Sequence, residues 1–179
     1  MAKVLESVTG SDALTILRHL AEQDSRIADR IAEAAKEILG EVDVEREAEE
    51  VQMDLEFLDV EEVWDRAGST RHGYVGTDDA AWQMLEEAIE PFEKELEKYT
   101  QLSMNREATL LCMGMLKGIY HFGKESDTAF KEWATDGPRE FFYRILVGWK
   151  ASTKRRTDHA RMEKFLAKHC PDWAPRSSK

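Results

Sequence analysis

The sequence predicts an all-α protein of about eight or nine helices, either an irregular α-α superhelix of solenoid-like helical hairpins or a globular helical bundle. Apolar residues recur every three or four positions along nearly the whole chain, which is the period of one helix face. Only 4 prolines and 10 glycines occur in 179 residues, few for an all-β chain with many turns. Glu, Ala, Leu and Lys, the good helix formers, are abundant.

Two short helices are predicted at the N-terminus. The first begins near Ser11, and the second follows Asp24 or Ser25. Gly40 is expected to end the second helix in a left-handed conformation. The apolar residues expected to face inward are Leu14, Leu17, Leu20 and Ala21 in the first helix, and Ile27, Ile31, Ala34, Ile38 and Leu39 in the second.

Aspartates are predicted to cap the next two helices. Asp43 caps a third helix with one clean apolar stripe. Asp59 begins a short fourth helix that ends before Gly68 and turns Trp64 inward. The stripe of the third helix is Val44, Ala48, Val51, Leu55 and Leu58, and the other inward residues of the fourth are Val60 and Val63.

A long helix is predicted next, capped by Thr77 and reaching about Thr100. Pro91 lies inside its pattern, so we expect a kink or a division there. The inward face is Ala81, Leu85, Ala88, Ile89, Phe92, Leu96 and Tyr99.

The following helix is predicted to begin at a Ser103 cap and to end at Gly123. Gly114 and Gly118 share one face, and this spacing allows a neighbouring helix to approach closely. Cys112 is expected to be a buried thiol within the apolar pattern LLCMGML.

The C-terminal part predicts three further helices. Ser126 or Asp127 caps a short helix that carries Phe130 and Trp133. Pro138 begins the next helix after the turn TDGP, a favoured position for proline. The last helix runs from about Thr157 to His169.

Length and composition predict one helical domain over residues 1–173, followed by a frayed tail at 174–179. No apolar run approaches the roughly 18–20 residues that a membrane span needs. The N-terminus does not have the pattern of a secretory signal, and two cysteines do not make a disulfide framework. These features are typical of a cytoplasmic protein, and they are compatible with a homo-oligomer.

Charge is unevenly distributed along the chain. Residues 1–100 carry 10 Lys/Arg and 27 Asp/Glu, whereas residues 101–179 carry 15 and 9. The acidic half should repel nucleic acids and anionic membranes. The basic surplus includes Lys154, Arg155, Arg156 and Arg161 in a segment without a nucleic-acid-binding motif. Nucleic-acid binding there is therefore the weaker alternative to a solvated basic helix.

Patterns that carry known chemistry are missing from the sequence. No histidine pair has metal-ligand spacing, and Cys-x-x-Cys, phosphate-binding and Gly-x-Ser-x-Gly motifs do not occur. On one helix Cys112 and His121 would lie about 13–14 Å apart along the axis, too far for a nucleophile and its base. We therefore expect no catalytic residues, no metal and no cofactor.

The stretch WDRAGSTRHGYVGTDDAAW, residues 64–82, interrupts the helical pattern. Two tryptophans flank it, and its polar residues are of types enriched where proteins bind partners. The predicted binding residues are Arg66, Arg71, His72, Tyr74, Trp64 and Trp82. The alternative is a structural corner whose arginines contact nearby acidic helices.

The segments LDVEEVWDRAGSTRHGYV, AAWQMLEEAIEPF, LKGIYHF and KEWATDGPREFF resemble a group of uncharacterised bacterial and archaeal helical proteins over residues 43–150. The resemblance implies an all-α fold and brings no activity or cofactor with it. The favoured hypothesis is a non-enzymatic helical scaffold that binds another protein. The alternative is a ligand-binding protein or an enzyme with an inter-helical pocket near residues 64–82.

Overall fold

The fold is all-α, as predicted. The computed structural model describes residues 8–71 and 73–175 and contains, within that part of the chain, eight α-helices and one two-stranded sheet. The chain divides into two compact units, Met1–Glu41 and Val42–Lys179, which are described separately. The single domain expected over residues 1–173 stays a prediction, and most of the tail, residues 176–179, lies outside the described residues.

The first unit consists of helices α1 (Gly10–Gln23) and α2 (Ser25–Leu39), joined by Asp24 and here called the N-terminal pair. The Thr9 hydroxyl accepts a hydrogen bond from the backbone N–H of Asp12, whose carboxylate accepts one in return from the backbone N–H of Thr9. The Asp24 carboxylate accepts a hydrogen bond from the backbone N–H of Arg26 at 2.8 Å. Both helices therefore begin where their caps satisfy free amides.

Neither helix of the N-terminal pair buries a side chain, although the periodicity predicted inward faces for both. Ile27 and Ile31 are half-buried, whereas Leu17 and Ile38 are exposed. Periodicity locates an apolar face but does not provide the element that covers it. Gly40 is right-handed, with φ −77°, so the expectation of a left-handed residue is wrong.

The second unit begins with α3 (Val44–Glu56) and α4 (Val60–Arg66), and both helices start at the predicted aspartate. Asp43 Oδ1 accepts hydrogen bonds from the backbone N–H groups of Glu45 and Arg46, each at 2.9 Å. The buried residues of α3 include Ala48, Val51 and Leu55, which confirms most of the predicted stripe.

Helix α5 (Thr77–Gln101) continues through Pro91, so the helix is not divided there, and a kink, the other expected outcome, stays a prediction. Pro91 is exposed, and water can bond the carbonyl group that the proline leaves without an N–H partner. The N-cap is Gly76, not Thr77, and it makes no side-chain hydrogen bond.

The chain continues through α6 (Asn105–Glu125), a short 3-10 helix (Ala129–Glu132), α7 (Gly137–Ser152) and α8 (Arg156–His169). Met104, not Ser103, is the N-cap of α6, and Ser103 before it has a positive φ of 57°. Thr128, not Ser126 or Asp127, caps the 3-10 helix through its hydroxyl. Gly123 lies inside α6 and does not end it.

Helix α6 lies at the centre of the second unit, where it contacts α3, α5, α7 and α8. In a solenoid each repeat contacts only its neighbours along the chain, whereas α6 packs most extensively against α3. The second unit is therefore a globular bundle around α6.

The predicted close approach at Gly114 and Gly118 is confirmed. A Cβ atom on Gly114 would lie 2.5 Å from Glu47 Cβ, and one on Gly118 would lie 2.5 Å from the Ala48 carbonyl oxygen. These distances leave no room for a methyl group. Glycine at both positions allows α3 to pack against the backbone of α6.

Candidate protein-binding site

The stretch between α4 and α5 forms a β-hairpin, where the sequence predicted only a loop. Strands β1 (Gly68–Thr70) and β2 (Gly73–Val75) pair antiparallel. Gly68 and Gly73 have φ values of 121° and 131°, a region that side-chain-bearing residues rarely adopt. Three-residue strands carry too little alternation to be recognised in a sequence.

Arg66 connects two helices of the bundle. Its guanidinium group donates to Glu62 on α4 at 2.6 Å and to Glu87 on α5 at 2.7 Å. The hydrogen bonds to Glu87 and then to Glu62 raise the pKa of Arg66 above its usual value. Arg66 thus has the arrangement that the structural-corner alternative predicts, and a role for it in binding stays a prediction.

The other polar residues predicted for this site lie on the hairpin. Arg71 is exposed at the turn, and Tyr74 on β2 is 78% exposed. His72 lies outside the described residues. A partner could therefore reach Arg71 and Tyr74 without any rearrangement of the bundle.

The two flanking tryptophans have different environments. Trp64 is 56% exposed, so its predicted inward orientation is wrong; Val63, next to it, is the buried residue of α4. The ring of Trp64 contacts the ring of Trp133 edge-on, with the centroids 6.2 Å apart. Trp82 is half-buried and packs on Phe141, with a centroid distance of 5.0 Å.

Trp82 and Trp133 line one cleft of about 280 Å³ between the first two turns of α5 and the segment that leads into α7, here called the Trp cleft. Three acidic residues, Asp78, Glu132 and Asp136, also line it. None of the three forms an ion pair with a residue in the described ranges. The Trp cleft therefore combines two tryptophans with three acidic residues that form no ion pair within the described ranges.

Tight packing fixes the shape of the Trp cleft. A Cβ atom on Gly137 would lie 2.5 Å from Leu85 Cδ1, so the beginning of α7 packs directly against α5. Arg144 stacks over Phe141 at 4.3 Å and donates to Glu86 and Glu93 on α5. These contacts hold α7 and α5 together beneath Trp82.

The thiols of the bundle have surroundings that suppress reactivity. Cys112 is fully buried in α6, and burial raises the pKa of its thiol. Burial likewise raises the pKa of Cys170 to about 12. Neither sulfur is a thiolate at neutral pH, and the thiolate is the nucleophilic form.

Within residues 8–71 and 73–175, no three His, Cys, Asp or Glu side chains are grouped as metal ligands would be. Over the same residues, the structure contains no helix with the length and apolar character needed to cross a membrane. Lys154, Arg155, Arg156 and Arg161, the basic residues considered for nucleic-acid binding, are exposed.

Sequence reasoning found Trp82 but missed Trp133, Asp78, Glu132 and Asp136. The available signal was the segment KEWATDGP, in which a tryptophan is surrounded by charged residues and a turn. Comparison with protein-family models, with curated proteins and with solved structures gave no match to this chain.

Proposed function

We propose that this chain is a non-enzymatic, cytoplasmic helical interaction module, and that its Trp cleft binds a positively charged segment of a partner protein. The observation that carries the proposal is that Trp82 and Trp133 line one cleft together with three acidic residues that form no ion pair within the described part of the chain. The resemblance to bacterial and archaeal helical proteins would then describe a family of such modules.

The chemistry of the Trp cleft favours a cationic side chain. A guanidinium or ammonium group over an indole face gains about 0.5–2 kcal/mol, most where water is excluded. The carboxylates of Asp78 and Asp136 would add charge-assisted hydrogen bonds. Arginine fits both demands, because its planar group stacks on aromatic rings and donates within its own plane.

The hairpin would extend the same interaction surface. Exposed tyrosine and arginine are enriched at the energetic centres of protein interfaces, and Tyr74 and Arg71 present both types. Trp64 would join the surface through its edge contact with Trp133. Arg66 and Trp82 would support it, since both are held by packed neighbours.

The test is a calorimetric titration of the full chain with a short peptide of alternating arginine and glycine. A peptide with citrulline in place of arginine measures binding without the charge. Two double variants remove the same number of negative charges: Asp78→Asn with Asp136→Asn in the Trp cleft, and Glu49→Gln with Asp54→Asn on the exposed face of α3.

We expect the cleft variant to bind the arginine peptide about fivefold more weakly and the α3 variant to stay within about twofold of wild type. Trp133→Leu should also weaken binding while leaving the net charge unchanged. Equal losses of affinity in the two double variants would mean that binding depends only on the net charge of the protein, and would refute the Trp cleft as the site.

The hairpin is tested separately with Arg71→Ala and Tyr74→Ala combined. If the hairpin belongs to the interface, partner protein recovered with wild type should be lost with this variant. Equal recovery of every partner would exclude the hairpin and leave the Trp cleft to be judged by the titrations.

A further inference from the structure

The N-terminal pair exposes the side chains that would form a core in most helical proteins. Neither helix buries a residue, and Leu14, Leu17 and Ile38 are 50%, 43% and 79% exposed. Helices of 14 and 15 residues are marginal in water unless an apolar face is packed. The stability of these helices therefore depends on something that covers the exposed face.

Helix α2 carries a groove of about 250 Å³ lined by Ile27, Arg30, Ile31 and Ala34. These positions are i, i+3, i+4 and i+7, the four-residue hole into which a facing helix inserts one side chain. A side chain able to fill such a hole, Ile38, projects from the same helix one turn further on. The groove and the side chain that fits it thus occur on a single apolar face.

The charges beside this face are also complementary to one another. Arg30 and Glu37 are seven residues apart, so they lie two turns apart along the same edge of α2. Neither forms an ion pair with any residue in the ranges that the structure describes. When a helix pairs antiparallel with its own copy, the start of one edge lies beside the end of the same edge in the copy. Opposite charges at these two positions therefore form two equivalent ion pairs.

We propose that α2 pairs antiparallel with α2 of a second copy of this chain, with Ala34 near the two-fold axis. Residues equally far from Ala34 then lie opposite each other, so Ile38 faces position 30, at the middle of the second copy's groove. Glu37 lies beside the second copy's Arg30. The small side chain of Ala34 allows the two backbones to approach closely where the helices cross.

Sedimentation equilibrium of the full chain tests the proposal. The wild-type protein should form a dimer. Arg30→Glu alone and Glu37→Arg alone should each weaken dimerisation by about tenfold, because symmetry replaces two attractive pairs by two repulsive ones. Lys36→Glu, a charge reversal on the opposite face of α2, is the matched control and should leave the dimer intact.

The decisive measurement is an equimolar mixture of Arg30→Glu and Glu37→Arg. Each variant repels itself, but in the mixture the glutamate introduced at position 30 of the first variant lies beside the arginine introduced at position 37 of the second. The native Glu37 of the first variant likewise lies beside the native Arg30 of the second. The mixture should therefore dimerise like wild type. Circular dichroism of each variant confirms that the helices are retained.

Three outcomes would overturn the proposal. One is a wild-type chain that stays monomeric at high concentration, which would leave the face to a different partner. Another is single variants that associate as wild type does, and the third is a mixture that associates no better than its components. Because none of these measurements involves the Trp cleft, they leave the proposed peptide binding untouched.

Discussion

Two glycine-to-alanine substitutions in the second unit should change stability in opposite directions. A Cβ atom on Gly118 would lie 2.5 Å from the Ala48 carbonyl oxygen and 2.9 Å from Val51 Cβ, whereas one on Gly148 would have no atom within 4 Å. Both glycines lie inside helices, where alanine is intrinsically favoured by about 1 kcal/mol. The two variants therefore share the propensity gain and differ in the space available.

The magnitudes follow from this difference. At Gly118 the obstructing atom belongs to the backbone of α3 and cannot rotate away, so overpacking near the upper end of about 1–3 kcal/mol should outweigh the propensity gain. We expect a net loss of about 2 kcal/mol for Gly118→Ala and a gain of roughly 0.5–1 kcal/mol for Gly148→Ala. For a chain of this size, the melting temperature should fall by about 4–8 °C and rise by about 1–4 °C respectively.

Urea unfolding followed by tryptophan fluorescence measures both changes, because all five tryptophans lie in the second unit with the two glycines. The slope of the free energy of unfolding against urea should stay constant, so that the midpoint reports stability alone. Stabilisation by both substitutions would show that α3 does not pack on α6 as described. Destabilisation by Gly148→Ala would show that the face of α7 on which Gly148 lies is covered and not open.

Asp43→Ala removes the acceptor of two backbone N–H groups at the start of α3, and should lower the free energy of unfolding by about 1 kcal/mol in a urea titration. Burial first, then Lys168 and Lys117, lowers the pKa of His169 below its usual value. The unfolded chain therefore protonates His169 at a higher pH than the folded chain does. The free energy of unfolding should fall more between about pH 7.5 and 5.5 in wild type than in His169→Gln. Cys112 should react with a thiol reagent only at urea concentrations that unfold the bundle.

The sequence predicted the all-α class and some of the helix caps, but not the contacts between distant segments. Asp43 and Asp59 could be recognised as caps because each carboxylate bonds backbone N–H groups only two or three residues further on. The caps expected at Thr77 and Ser103 are one residue from the observed N-caps, neither of which makes a side-chain hydrogen bond. Trp64 shows how little a short helix indicates about its inward face. Val63 and Trp64 are neighbours, yet Val63 is buried and Trp64 is exposed. A helix of seven residues has too few apolar positions to define that face.

The Trp cleft could not have been predicted, because its two halves come from distant parts of the chain. Trp82 lies in the second turn of α5, and Trp133 follows the 3-10 helix some fifty residues later. The two tryptophans line one cleft because α7 packs against α5 where Gly137, which has no side chain, lies against Leu85. In the sequence that glycine is only part of the turn TDGP, and nothing local indicates which helix it will approach.

The two proposals reinforce each other in a way that affinity measurements can detect. A dimer formed through α2 would carry two Trp clefts, so a partner with two basic segments could bind both. The second contact would then be intramolecular, and the apparent affinity could exceed that of one cleft by a factor of about 100 or more. Arg30→Glu should remove this excess for a two-segment peptide while leaving the affinity for a one-segment peptide unchanged. An equal affinity of wild type and Arg30→Glu for the two-segment peptide would mean that dimerisation and cleft binding act independently.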